Sequence, residues 1–192
     1  MFKKEIIWRE ILFQAIEKNK KQFTQKNLAA KFKFSLSTVF NALKVPRSTG
    51  AINVKGRFFT ITDIEKFLTI WATFRNLEKD IVYKTHVDLS PMKIEGEVPK
   101  SVIYTAYSAY RLKFKQAPAD YDKIYIYSKD LTQIKKRFPK KRGYENLIVL
   151  NPDKFLKNYG SIPPLVQIYV DLWNLKEWYA HDFLNDLRKK IL

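Results

Sequence analysis

The feature that most constrains this chain is a pair of short amphipathic segments inside a stretch without acidic residues. From Lys18 to Thr62 the sequence has ten Lys or Arg residues and no Asp or Glu. Within this stretch, FTQKNLAAKFKFSLSTVFNALK has the apolar spacing of two short helices joined by a tight turn at Lys33-Phe34. Two such helices joined by a short turn are typical of a helix-turn-helix.

Capping residues and apolar periodicity support both helices. Thr24 and Ser35 stand where N-caps are expected, because their hydroxyls can accept a hydrogen bond from the first turn. The predicted inward faces consist of Leu28, Ala29 and Phe32 in the first helix and Leu36, Val39 and Leu43 in the second. Pro46 is expected to end the second helix, since proline has no N–H to donate to the preceding turn.

The residues after the second helix predict a β-hairpin. Residues 51–54 and 57–61 have the composition of two short strands around a turn at Lys55-Gly56. A hairpin directly after a helix-turn-helix is typical of a winged helix, with Lys55 and Arg57 near the tip of the wing. The run from Thr62 to Glu65 then matches a capping box that opens a further helix.

Small polar residues at the start of the second helix, with cations on both sides, suit a helix whose N-terminal end enters the major groove of DNA. The residues predicted to contact DNA are Lys26, Ser35, Ser37, Thr38, Asn41, Lys44, Arg47, Lys55 and Arg57. The alternative is a small helical domain whose basic residues are simply solvated. The coincidence of the motif with the acid-free stretch favours DNA binding.

The second half of the chain has a different pattern. Its predicted strands and helices are Ile81–Tyr83, a helix capped by Ser101 that includes Ile103 and Tyr104, Lys123–Tyr127, a short helix around Ile134, Leu147–Leu150 and two final helices. We therefore predict a two-domain protein with α+β and α/β parts. Residues 1–80 form the winged-helix domain, and residues 81–192 form an α/β domain that serves regulation, oligomerisation or toxin neutralisation.

Composition narrows the class of protein and its partners. The net charge of +17 and the pI near 9.8 attract polyanions even without a specific site. The absence of Cys excludes disulfides and fits a reducing compartment. No apolar run reaches the length of about 18 residues that a membrane span needs, and the N-terminus has charges where a signal peptide has an apolar core. We expect a cytoplasmic protein with no membrane partner.

The sequence contains no recognisable catalytic or metal-binding motif. Only His86 and His181 are present, far apart and without thiols, and the five glycines form no phosphate-binding loop. Asp120 and Asp122 are more typical of a solvated loop than of a Mg²⁺ site. We expect no enzyme activity, cofactor or metal. A second basic patch suits RNA, another DNA segment or an acidic protein, or else is a solvated helix end; it comprises Lys135, Lys136, Arg137, Lys140, Lys141 and Arg142.

Two parts of the sequence resemble known families. SLSTVFNALK followed by GAINVKGRFFTITD resembles the winged-helix transcriptional regulators of prokaryotes. The segments IEGEVP, TAYSAYRL, YDKIYIY, ENLIVLNP and PPLVQIYVDLW resemble the type IV (abortive-infection) antitoxins. The resemblance implies a winged helix joined to an α/β domain similar to a degenerate nucleotidyltransferase. Phe40 departs from the pattern, since that position is usually small or polar; it either packs inward or touches a thymine methyl.

For function, the resemblance implies a DNA-binding regulator that represses its own operon and opposes a toxin partner of the nucleotidyltransferase class. Gly160-Ser161 is similar to the start of a nucleotidyltransferase motif, but Asp171 is followed two residues later by Trp173 instead of a second acid. Transfer activity is therefore not expected. The alternatives are a toxin-neutralising interaction module with secondary DNA binding, and a small enzyme that acts on nucleic acid.

A homodimer is a further expectation, because one winged helix reads only a few base pairs. The aromatic residues considered for the contact are Trp71, Phe74, Trp173, Trp178 and Tyr179. The same residues suit a seam between the two domains of one chain, and the sequence leaves both readings open.

Overall fold

The computed structural model describes all 192 residues and contains helices and two small sheets, an α+β composition. The helices and strands are α1 Lys3–Glu17, β1 Gln22–Phe23, α2 Gln25–Phe32, α3 Leu36–Ser48, β2 Ile52–Lys55, β3 Phe58–Ile61, α4 Ile64–Phe74, β4 Ile81–Thr85, α5 Pro91–Glu97, β5 Ile103–Tyr104, α6 Ala106–Phe114, β6 Ile124–Tyr127, α7 Leu131–Arg137, β7 Leu147–Leu150, α8 Leu165–Trp173 and α9 Ala180–Ile191.

The chain forms two compact units. The first comprises residues 1–75 with 164–166 and 191–192, and the second comprises residues 76–163 with 167–190. In the first unit, α1 to α4 accompany an antiparallel sheet in the order β1-β3-β2. Its core contains the fully buried side chains of Ile7, Trp8, Ile11, Val39, Phe67 and Trp71. These residues come mainly from α1, α3 and α4, so α1 and α4 provide the support on which α3 rests.

The β2–β3 hairpin closes through a two-residue turn formed by Gly56 and Arg57. Lys55 pairs with Phe58, and Gly56 has φ of +58°, in the left-handed region that glycine adopts without steric cost. A positive φ at the first turn position matches the right-handed twist of the two strands. The hairpin is therefore present as predicted, with its turn shifted by one residue.

Three local expectations in the first unit were wrong. Pro46 does not end α3 but lies inside it, because Trp8 Nε1 donates to the Ala42 carbonyl that residue 46 would otherwise serve. Leu36 is exposed, because the buried face is centred on Val39, Ala42, Leu43 and Pro46, and the first turn of α3 lies at its rim. The N-cap of α4 is Asp63, whose carboxylate accepts from the Lys66 N–H at 2.8 Å, whereas Thr62 donates its hydroxyl to the Gly50 carbonyl.

The second unit contains a four-stranded mixed sheet in the order β4-β7-β6-β5. The pair β6–β7 is parallel, whereas β4–β7 and β5–β6 are antiparallel. Both β6 and β7 are buried along their full length, as their apolar sequences predict. Ile103 and Tyr104 do not open a helix capped by Ser101; they pair with Tyr127 and Ile126, and α6 starts at Ala106.

Candidate nucleic-acid interface

The turn between α2 and α3 is fixed by local hydrogen bonds at both helix ends. Thr24 Oγ1 accepts from the Asn27 N–H at 3.1 Å and begins α2. Lys33 adopts the left-handed conformation with φ 54° and ψ 42°, which lets the Phe34 N–H return to the Ala29 carbonyl at 3.0 Å. Ser35 Oγ then accepts from the Thr38 N–H at 3.2 Å and begins α3. The helix-to-helix angle is thus set within three residues.

The outward face of α3 carries four of the nine residues predicted to contact DNA. Ser37, Asn41 and Lys44 recur at four- and three-residue spacing, so they lie on one side of the helix, and all three are exposed. Arg47 is also exposed, one turn after Lys44. Thr38 is half-buried, and its hydroxyl lies 2.9 Å from Ser35 Oγ. Ser35 and Thr38 therefore serve the helix start, and the other members of the set face solvent.

The hairpin and α2 add cations around this face. Lys55 and Arg57 are exposed at the β2–β3 turn, and Lys26 is exposed in the first turn of α2. A cleft of about 290 Å³ lies between α3 and β2, and it is lined by Gln25, Phe40, Leu43, Lys44, Arg47, Ser48 and Val54. Gln25 of α2, Lys44 of α3 and Val54 of β2 thus meet at one surface.

Glu5 and Glu10, two of the acids of the first unit, make contacts away from the α3 face. Residues 1–75 contain five acids, namely Glu5, Glu10, Glu17, Asp63 and Glu65, against fifteen Lys and Arg residues. Glu5 is buried and accepts from Trp71 Nε1 at 3.3 Å and from the Phe2 N–H at 2.8 Å, and Arg75 lies 3.6 Å away. Glu10 is buried against Lys31 and Gln14.

By contrast, the structure shows no ion pair for five exposed cations, which are Lys26, Lys44, Arg47, Lys55 and Arg57. No acid of the chain lies on α2, on α3 or on the hairpin. The positive charge at this surface is therefore not neutralised within the chain, as a surface for a polyanion requires.

Two apolar side chains on α3 are exposed: Leu36, which the sequence predicts inward, and Phe40, whose orientation the sequence leaves open. Leu36 is 57% exposed, although apolar spacing placed it inward, and Phe40 is 47% exposed. The Lys44 ammonium lies 5.6 Å from the centre of the Phe40 ring, within the range of a cation–π contact. Phe40 therefore points outward beside Asn41, so the inward alternative is wrong.

Only part of the second basic patch is free of contacts with the rest of the chain. Lys140 Nζ is 3.1 Å from Glu145, and Lys141 forms an ion pair with Asp88. Hydrogen bonds from Lys84, and then from Lys140, lower the pKa of Glu145. Arg137 donates to the Glu97 carbonyl, and Lys135 lies over the Tyr83 ring. The remaining members, Lys136 and Arg142, are exposed and have no ion pair, so this patch presents less free charge than the α3 face.

Carboxylates of the second unit are held by tyrosine hydroxyls. Asp122 accepts from Tyr179 and, at 3.2 Å, from Tyr144, whereas Asp120 is exposed. Glu177 accepts from Lys123 at 2.7 Å, Tyr125 at 2.9 Å and Tyr107 at 3.0 Å. Burial on its own acts against ionisation, but the hydrogen bonds from Lys123 and Tyr125 outweigh it and lower the pKa of Glu177. These contacts join the start of β6 to the segment between α8 and α9.

The remaining candidates for chemistry are also held by neighbours. Asp171 is fully buried and accepts from Thr105 and Tyr127 at 2.7 Å and from Gln167 at 2.9 Å. His86 lies 2.7 Å from both the Tyr144 carbonyl and Asp88, and His181 lies 3.1 Å from Asn185. The structure contains no group of three or more His, Cys, Asp or Glu residues placed to hold a metal ion.

The aromatic residues considered for a dimer contact separate by exposure. Trp71 and Tyr179 are buried inside their own units, where Trp71 bonds Glu5 and Tyr179 packs on Tyr107. Phe74, Trp173 and Trp178 are exposed, Trp178 by 78%, and remain available for contact.

None of the helices combines the length and apolarity needed to cross a bilayer. No family model matches this chain, and no curated protein or solved structure does so either.

Proposed function

We propose that this protein is a sequence-specific DNA-binding transcriptional regulator whose first unit is a winged helix. The observation that carries the proposal is the solvent-facing side of α3, where Ser37 and Asn41 stand beside five cations without an ion pair. The order of a helix-turn-helix followed directly by a β-hairpin supports α3 as the reading helix and the hairpin as the wing. Amide and hydroxyl groups can read base edges, while the cations bind phosphates.

In this proposal the second unit has no transferase chemistry. The carboxylate that a nucleotidyltransferase-like reading would place at the reaction centre is Asp171. It is fully buried and accepts three hydrogen bonds from side chains of its own unit, so it is suited to holding α8 against β6. This supports a degenerate nucleotidyltransferase-like domain that serves the regulator structurally.

The electrostatic part of the proposal is tested by a salt titration on duplex DNA. If the five cations each neutralise one phosphate, the slope of log affinity against log salt is about −4.5, and affinity falls roughly 500-fold between 50 and 200 mM salt. Lys55→Ala and Arg57→Ala should each reduce the slope by about one unit. Lys66→Ala is the matched control, because Lys66 lies on α4 and pairs with Asp63 at 3.5 Å. A slope near zero for the native chain refutes DNA binding.

The sequence-reading part is tested on a site selected from a random duplex library. Asn41 can donate to and accept from one adenine in the major groove, so Asn41→Ala should cost about 1–3 kcal/mol on the selected site and little on random DNA. Lys55→Ala should weaken binding to both DNAs alike, because a phosphate contact carries no sequence information. Equal losses on both DNAs for Asn41→Ala would remove Asn41 from the reading surface.

A further inference from the structure

The α3 face contains two large apolar side chains among its polar and cationic ones. Leu36 and Phe40 are four residues apart, lie on the same side of the helix, and are 57% and 47% exposed. We propose that these two side chains read thymine methyl groups, so that the operator contains thymines next to an adenine read by Asn41. This inference rests on the proposed function and adds the class of base sequence that the protein selects.

Chemistry limits what these side chains can recognise in DNA. Neither Leu36 nor Phe40 can donate or accept a conventional hydrogen bond, so neither discriminates among the polar groups of the base edges. The C5 methyl of thymine is the one apolar group that the major groove displays, and apolar side chains contact it. An A·T pair presents this methyl together with the adenine N6 and N7 atoms that an asparagine binds.

The position of the two residues on α3 agrees with that role. Leu36 directly precedes Ser37 and Phe40 directly precedes Asn41, and all four belong to the first six residues of α3. This end of a reading helix meets the base edges. Lys44 and Arg47 follow one and two turns later, where they can hold phosphates. Phe40 therefore lies directly before the base-reading amide and one turn before Lys44, whose ammonium contacts its ring.

Charge selects DNA over a second copy of the chain as the occupant of this apolar surface. The two side chains lie in the segment from Lys18 to Thr62, which has ten cations and no acid. The surface carries five cations without an ion pair, so a symmetric contact of this face with itself would bring ten like charges together without a counter-charge. A polyanion neutralises them, and with it the thymine methyls reach Leu36 and Phe40.

The experiment uses the full chain and four proteins: native, Leu36→Ala, Phe40→Ala and Val45→Ala. Val45 is the matched control, because it is 47% exposed, like Phe40, but lines a separate groove with Trp8 and Phe74. Each protein first selects sites from a randomised duplex library. On the native site, single thymines are then replaced by deoxyuridine, which removes only the C5 methyl.

The native chain should bind roughly three- to fourfold more weakly for each methyl removed at a contacted position. In Phe40→Ala, replacement at one of these positions should have no further effect, and the selected motif should lose its thymine preference there. Leu36→Ala should do the same at a neighbouring position, while Val45→Ala should behave like the native chain.

Uracil and thymine duplexes bound equally by the native chain would overturn the inference, as would a Phe40→Ala motif identical to the native one. These results remain separate from the test of DNA binding itself. Affinity for random DNA and its salt dependence measure the proposed function, and neither depends on a methyl group. A chain with a steep salt slope but no response to deoxyuridine keeps the proposed function and loses only the thymine reading.

Discussion

Trp8 has a specific role in keeping α3 continuous through Pro46. Pro46 lies four residues after Ala42 and has no N–H to donate to the Ala42 carbonyl, as the helix would require. Trp8 Nε1 donates to that carbonyl at 2.7 Å, and both residues are buried. A side chain of α1 therefore supplies the donor that the backbone of α3 lacks.

This geometry predicts the cost of Trp8→Phe and its dependence on residue 46. The substitution leaves a buried carbonyl without the indole donor, which costs about 1–3 kcal/mol of unfolding free energy, in addition to the loss of ring packing. In a Pro46→Ala background, the new N–H of residue 46 serves the same carbonyl, so only the packing loss remains. The two substitutions should therefore be coupled by about 1–2 kcal/mol.

The assay is chemical denaturation of the native chain, the two single variants and the double variant. Trp71→Phe provides a matched control, because Trp71 is equally buried in the first unit but donates to Glu5 and not to α3. Its cost should be the same with Pro46 or Ala at residue 46. If Trp8→Phe also costs the same in both backgrounds, the indole does not replace the missing backbone donor, and the explanation for proline inside α3 fails.

Three further predictions concern the cap of α3, the second unit and assembly. Ser35→Ala should lower the unfolding free energy by about 1 kcal/mol, because it removes the N-cap of α3. Ser35→Asp should keep the cap but weaken DNA binding, because it places an acid beside the reading face. Denaturation and DNA-binding measurements on both variants separate the two effects. The pKa of Glu177 is lower in the folded chain than in the unfolded one, so the ionised carboxylate stabilises the fold above about pH 4.3, and this stabilisation is lost as the pH falls further. Glu177→Gln should destabilise the second unit at pH 7 and remove this acid-dependent loss of stability from denaturation curves measured from pH 7 to 3. On a palindromic site, light scattering at micromolar concentration should give the mass of the DNA plus twice the chain mass of 22.8 kDa, and the mass of the DNA plus 22.8 kDa would exclude the homodimer.

Sequence reasoning succeeded where the cause lies within a few residues. The caps at Thr24 and Ser35 follow from hydroxyls placed before an apolar repeat, and both hydrogen bonds are present. Leu28 and Phe32 are buried as their spacing predicts. The hairpin follows from Gly56 between two β-branched and aromatic runs. Each of these features depends on residues that are close together in the chain.

Sequence reasoning failed where a residue's structure depends on a partner far away in the sequence. Continuity of α3 through Pro46 depends on Trp8, which is 34 residues from the carbonyl that it serves. The helix assigned to Ile103 and Tyr104 is a strand because Tyr127 and Ile126 pair with it. The exposure of Leu36 depends on which part of α3 the rest of the unit covers. A local pattern carries no information about such partners.

The distribution of charge in the first unit separates stability from binding. Glu5 and Glu10 are buried on α1 and hold Trp71, Gln14 and their cations, while Asp63 caps α4. Removing any of these acids breaks contacts inside the unit, and removing Glu5 also takes this partner away from the buried Trp71 and Arg75. The cations of α3 and the hairpin have no such partner, so their removal leaves the fold intact and changes only the field at the surface. The first unit thus places its acids on α1 and at the start of α4, where they make contacts within the unit, and α3 and the hairpin keep their full positive charge.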